Sequence, residues 1–240
     1  MRNNFVMATH NSYAFGNAIA ANQHYNISTQ LKDGVRVFLL AVLKNPDPTK
    51  SDIELCHTSC ELLDAGTAAD TLQNIATFLQ NNPNDIITIF WRNYFSNLTA
   101  ADIKTASDKA DQRRPIYMLN HFLYTEVKSG PLDIDLPTRV TANLTNSASL
   151  QKHAQNCTTI FKQFPNFITV DFYDQGSPNL NPFSIVANYN GVQYTPTTYG
   201  NGVLPNDIAT SNSAKIDLQT SLFTAFVSLL IVFIFAVVEL

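Results

Sequence analysis

Three histidines and an aspartate in this chain stand directly after short apolar runs. Phe5–Ala8 leads into Thr9-His10-Asn11, Ile53–Leu55 into Cys56-His57, Ile116–Leu119 into Asn120-His121, and Phe167–Val170 into Asp171. Arg92 and Asn93 follow Ile86–Trp91 in the same manner. An imidazole takes a proton when neutral and gives one when charged, and its reference pKa of about 6.5 makes both roles available near neutrality. Two imidazoles on opposite sides of a phosphodiester suit in-line displacement: one deprotonates the attacking hydroxyl and the other protonates the leaving oxygen. An arginine or a metal ion must offset the charge on phosphorus. A buried carboxylate such as Asp171 can orient one ring through its far nitrogen.

Such residues need strands to deliver them. The runs at Phe5–Ala8, Val35–Leu43, Ile53–Leu55, Ile86–Trp91, Ile116–Leu119 and Phe167–Phe172 are rich in β-branched and aromatic residues. Helical patterns lie between several of them. Thr67 with Asp70 makes a capping start, and Leu72, Ile75, Ala76 and Leu79 then share one helical face. Thr99 caps a second helix over Ala100–Lys109, and Asn181-Pro182 opens a third that runs to about Asn190. Strand and helix in alternation imply a mostly parallel sheet, covered on both faces because its strands read as near-continuous apolar runs. In a barrel of this kind the carboxyl ends of the strands carry the functional residues. Trp91 and the Phe-rich strands read as core, and His24 and His153 receive no role.

Composition narrows the class. The chain has 240 residues, of which only 14% are charged, and a net charge of -4 without any Lys/Arg run; electrostatic capture of nucleic acid is not expected. Sequons at Asn26, Asn97, Asn143 and Asn156 lean toward a secreted glycoprotein. The N-terminus shows no charged and apolar leader. The seventeen-residue apolar stretch 222–238 reads either as a tail-anchor helix or as a GPI signal with Ser211 as attachment site. The sequons favour the GPI signal, hence a cell-surface or extracellular protein held to the membrane by its C-terminal tail. The expected organisation is a barrel over 1–190, a loop or stalk over 191–213, and a hydrophobic signal or anchor over 214–240.

The ordered motifs ATHNSYAFG, QLKDGVRVFLL, ELCHTSCELLDAG, NNPNDIITI, RRPIYMLNH and NFITVDFYDQGS resemble the fungal secreted relatives of phosphatidylinositol-specific phospholipase C. Those proteins belong to the PLC-like phosphodiesterase superfamily, and the resemblance covers roughly residues 4 to 190. It implies a TIM-type (β/α)8 barrel. It makes His10 the general base, His57 the general acid and Asp171 the support of His10. The implied reaction is attack by an inositol 2-hydroxyl on the phosphorus of a phosphoinositide or glycolipid. Asn11 matches a calcium ligand of the metal-dependent members. The acidic positions on the second strand are Leu39 and Ala41, which offer no oxygen to a hard cation, so no cofactor is expected. The arginine that metal-independent members place near Ala41 is also missing. Arg36 and Arg92 are the candidate cations, and His121 is a candidate lining residue. These substitutions leave a second reading open, a catalytically silent surface barrel with a binding or structural role.

Only six candidate strands are recognisable, and the segment Asp102–Arg114 is shorter than in the relatives. Together with the absent leader, this implies a shortened, incomplete barrel, and the loss also removes the cysteine that would serve Cys157. Cys56 and Cys60 flank His57 and offer either a short-loop disulfide or, with His57 and Cys157, a zinc site; the sequons favour the disulfide.

Overall fold

A computed structural model describes residues 5–44, 53–93, 117–129, 132–195 and 198–200. The expected helix Ala100–Lys109, the segment 102–114, Asn97, Ser211 and the apolar stretch 222–238 lie outside the described residues. Among the described residues no helix is long and apolar enough to cross a membrane.

The chain alternates as the apolar runs require. Strand β1 (Val6–Thr9) is followed by helix α1 (Ile27–Lys32), whose cap Asn26 accepts from the Thr29 amide. Strands β2 (Val37–Lys44), β3 (Ile53–Cys56) and β4 (Asp64–Thr67) come next. Helix α2 (Ala68–Asn81) starts where the Thr67 hydroxyl accepts from the Asp70 amide, as the capping pattern requires. Strands β5 (Thr88–Asn93) and β6 (Met118–His121) precede a hairpin of β7 (Tyr124–Ser129) and β8 (Leu132–Pro137). After irregular helical turns at 139–149 come helix α3 (Leu150–Phe161), strand β9 (Phe167–Val170) and helix α4 (Pro182–Tyr189). Asn181 and Ser184 close a reciprocal capping box on α4.

Five strands run parallel in the order β5-β2-β1-β9-β6. The ladder registers put Ala8, Val37, Thr88, Thr169 and Asn120 in line, and with them Leu39, Ala41, Phe90, Arg92 and Phe167 on one face. That face is concave. Phe90 of β5 and Phe167 of β9 are separated by two strands, yet their ring centroids lie 5.2 Å apart. The other face carries Met7, Phe38, Leu40 and Ile168, which form one buried cluster with Leu31, Ile75, Leu150, Ala154 and Ile185 of the helices. The fold class is thus mixed α/β with a curled, largely parallel sheet. Among the described residues β5 and β6 do not meet, so the sheet is an open barrel and not a closed one.

The third strand departs from the expected pattern. Strand β3 pairs antiparallel with the last residues of β2, Leu43 to Glu54 and Lys44 to Ile53, and then with β4. His57 therefore comes from a hairpin that stands on the carboxyl end of β2, not from a parallel barrel strand. Only eight residues separate β2 from β3, and a parallel crossover needs a dozen or more.

Smaller corrections concern exposure and boundaries. Trp91, read as core, is 45% exposed. Leu72 of α2 is also exposed, and the buried stripe of that helix is Ala68 and Ile75. The start of the expected stalk lies against the body: the Gly200 amide donates to Asp33, and Tyr199 stacks on Phe183. At Gly200 a side chain would collide with the Tyr25 ring, so only glycine fits.

Candidate active site

The carboxyl ends of β1 and β9 lie side by side, with Thr9 opposite Val170. The next residues are His10 and Asp171. His10 Nδ1 lies 2.9 Å from Asp171 Oδ1, and the carboxylate is buried. Asn22 Nδ2 donates to the same carboxylate oxygen at 3.1 Å, while Asn22 Oδ1 accepts from Asn11 Nδ2 at 3.2 Å. With Asp171 as acceptor, Nδ1 of His10 carries the hydrogen, which leaves Nε2 as the lone-pair nitrogen. Phe122 lies flat on the imidazole, with centroids 3.9 Å apart and planes within 2°.

The backbone around this pair is locked by buried amides. Gln23 Nε2 donates to the carbonyls of His10 and Val170, and its Oε1 accepts from the Tyr173 amide. Asn146 Nδ2 donates to the carbonyls of Asp171 and Phe172. Gln30 Nε2 donates to the Ser12 carbonyl, and the Ser12 hydroxyl accepts from the Leu39 amide. Burial raises the Asp171 carboxyl above the usual range, and the bond from His10 opposes that rise.

His57 is held differently. Its backbone amide donates to the Leu63 carbonyl, and the preceding Cys56 is joined to Cys60 by a disulfide, the favoured one of the two expectations. Cys157 lies on α3 as a free thiol. Tyr13, from the loop after His10, donates its hydroxyl to the Cys56 carbonyl at 2.9 Å and so ties the two histidine-bearing segments together. The His57 ring has no such buttress, and its Nδ1 is buried without a hydrogen-bond partner among the described residues. Burial first, then the positive charges of His10 and Arg92, push its pKa down to about 4.

The backbone marks the same three places. Among the described residues four non-glycine residues have positive φ, and three of them, Asn11, Thr58 and Phe172, directly follow His10, His57 and Asp171. The fourth, Lys162, ends α3. A left-handed residue that is not glycine costs on the order of 1–3 kcal/mol. Here each one turns the chain sharply just after a side chain is delivered.

One cleft of about 440 Å³ gathers His10, Asn11, Asp171, His57 and Arg92. Of the expected site residues these five come together. Arg92 enters from β5, whose register sets it beside Ala41 on the concave face. Arg36 does not take part. It precedes β2 at the opposite end of the sheet, where its guanidinium pairs with Asp85 at 2.8 Å and donates to the carbonyls of Leu31 and Val35. His121 is also not among the lining residues. Its Nε2 donates to the Thr145 carbonyl and its Nδ1 meets His153 Nδ1 at 2.9 Å, so both nitrogens are used in packing. Burial and the neighbouring His153 hold it below the ordinary histidine range. Its neighbours Asn120 and Phe122 line the cleft instead.

The sequence reading missed Asn22, Asn120, Phe122, Tyr124 and Asp135, all of which line the cleft. The last two belong to the β7–β8 hairpin. Its signal was present: Ser129-Gly130-Pro131 between the alternating runs Tyr124–Lys128 and Leu132–Leu136. Asn22 lies in a loop without periodicity, and nothing local points to it.

Leu39 and Ala41 face the cleft side of β2 without an oxygen to offer a hard cation, and the Asn11 side chain donates through Nδ2 to Asn22. The sequons at Asn26, Asn143 and Asn156 are all exposed.

Fold and site together define an open α/β barrel domain with two histidines and an arginine at one mouth. The PI-PLC X family model matches residues 3–108 and 96–181, and the chain belongs to that family. It is 26% identical over 272 residues to a secreted protein of Arthroderma benhamiae without an assigned function, an alignment covering 78% of this chain and 61% of the relative. A PI-PLC X domain-containing protein 1 from the same fungus is 34% identical over 102 residues, 42% of this chain and 31% of that protein. The chain thus spans less than two thirds of the length of either relative. Among solved structures, a double mutant of the phosphatidylinositol-specific phospholipase C from S. aureus is 12% identical and aligns over 80% of this chain and 93% of its own, with a TM-score of 0.45.

Proposed function

We propose that this protein is an extracellular phosphodiesterase that cleaves phosphatidylinositol or a related glycolipid by His/His acid–base displacement. The observation that carries the reading is that His10, His57 and Arg92 line a single cleft. His10 Nε2 takes the proton from the inositol 2-hydroxyl, whose oxygen forms a new bond to phosphorus. The bond from phosphorus to the diacylglycerol oxygen breaks, and His57 gives that oxygen a proton. A cyclic inositol phosphodiester and diacylglycerol result, and the proton inventory balances between the two rings.

Asp171 fixes the tautomer of His10, as a carboxylate does for any imidazole base. Arg92 offsets the charge on phosphorus from the strand next to Ala41, so no metal ion is required. A phosphate anion in the cleft favours the imidazolium form of His57, which supplies the acid that burial withholds in its absence. The extracellular placement draws on the disulfide, the exposed sequons and a relative named as secreted. Attachment through a GPI anchor at Ser211 belongs to the same proposal, and release of the protein from membranes by an anchor-cleaving enzyme tests it.

The uncharged residues Leu39 and Ala41 favour the rival reading of a silent binding barrel. Turnover of phosphatidylinositol vesicles by the full chain, with EDTA present, decides between them. Cyclic inositol phosphate from the wild type, and none from His10→Ala or His57→Ala, is expected. Equal rates in all three proteins leave only the binding role.

A further inference from the structure

The β7–β8 hairpin forms one wall of the cleft, and its alternation decides what that wall presents. Tyr124, Asp135 and Pro137 all line the cleft. Tyr124 lies directly opposite Pro137 in the ladder, and Glu126 opposite Asp135. Directly opposite residues share a face, so Glu126 and Asp135 both stand on the cleft side of the hairpin. Glu126 has a counter-charge, Lys128 Nζ, at 3.8 Å. The Asp135 carboxylate makes no hydrogen bond or ion pair among the described residues. Asp171, the other acid of the cleft, is committed to His10 and Asn22. The cleft is therefore polarised: Arg92 and the two imidazoles line it together with one uncommitted carboxylate on the hairpin wall.

We propose that Asp135 is a specificity-determining residue. It selects a head group that presents hydroxyl donors and carries no phosphate beyond the diester. This rests on the phosphodiester reading and names its substrate class. A phosphodiester anchored at Arg92 and His57 leaves its head group to extend along the remaining wall. There a hydroxyl donates to the carboxylate, whereas a second phosphate meets a like charge. Asn120 and Thr58, also lining the cleft, are neutral partners for hydroxyls and not for a quaternary ammonium. Like-charge juxtaposition is a strong filter, so discrimination of about tenfold or more is expected.

The test is a calorimetric titration of the full chain with the 2-deoxy forms of glycerophosphoinositol and its 4-phosphate, which lack the attacking hydroxyl, and with glycerophosphocholine. Wild type binds the unphosphorylated inositol ligand at least tenfold more tightly than the other two. Asp135→Asn, a near-isosteric change at an exposed position, narrows the gap between the two inositol ligands to about threefold or less. Equal affinity for the two inositol ligands in wild type, an unchanged ratio in Asp135→Asn, or tighter binding of the choline diester overturns the assignment of Asp135 alone. Binding of none of the three overturns the phosphodiester reading as well.

Discussion

The two histidines are supported by unlike halves of the molecule. His10 sits at the junction of two adjacent parallel strands, bonded to a buried carboxylate, stacked under Phe122, with its backbone clamped by Gln23. His57 sits on an antiparallel hairpin outside the parallel row, with a buried nitrogen that has no partner among the described residues. The first ring is oriented before any ligand arrives. The second is placed by the Cys56–Cys60 bridge and the Tyr13 hydroxyl, but its charge is left to be set by what enters the cleft. A base must be ready to accept a proton, and an acid must acquire one. The asymmetry matches the division of labour proposed for the two rings.

Substitutions at each half probe this difference. Arg92→Gln removes the fixed positive charge at the cleft and is expected to lower kcat/KM by about 10²–10³-fold, measured on phosphatidylinositol vesicles. Asp171→Asn frees the His10 tautomer, and a loss of about 10²-fold in kcat is expected with little change in KM. A variant as active as wild type would show that His10 does not depend on its buttress.

The pH behaviour of His57 sharpens the contrast. Its folded value of about 4 lies below the ordinary 6.5, so the unfolded chain takes the proton first. Its contribution to stability is complete above pH 6.5 and is lost as pH falls through that window toward 4, by at most ~3 kcal/mol. His57→Gln is expected to flatten that part of the stability profile in denaturant melts. Ligand affinity runs the opposite way. An anion that draws a proton onto His57 binds about tenfold more weakly per pH unit above 4, until the bound-state pKa is reached, and His57→Gln removes this slope. The smallest effect falls on the tie between the halves. Tyr13→Phe leaves the buried Cys56 carbonyl without its donor and is expected to cost about 1–2 kcal/mol of stability. A loss of activity beyond that drop would show that the hydroxyl also sets the spacing of the two rings.

Much of the base half was legible in the sequence. An apolar run that stops at Thr9-His10 or at Val170-Asp171 announces a strand end, and parallel strands bring their ends together. The family resemblance paired the two residues, and the ladder of β1 with β9 supplies the contact. The acid half was legible only as a motif. Its antiparallel setting depends on the short link between Lys44 and Ile53, a length that excludes a parallel crossover. Arg36 and Arg92 illustrate the same point at single-residue scale. Both adjoin apolar runs, but Arg36 precedes its strand and Arg92 lies near the end of its own, so parallel strands send them to opposite ends of the sheet. Asn22 was invisible because its value lies wholly in tertiary contacts with residues 11 and 171.

The central claim is that both imidazoles grip one phosphodiester. Nitrogen-15 NMR of the histidine rings, during titration of the full chain with 2-deoxy glycerophosphoinositol, tests it directly. The account predicts that the His10 and His57 ring signals move together, with one midpoint, and that His57 gains a proton as they do. Movement of one ring alone, or two separate midpoints, would contradict it.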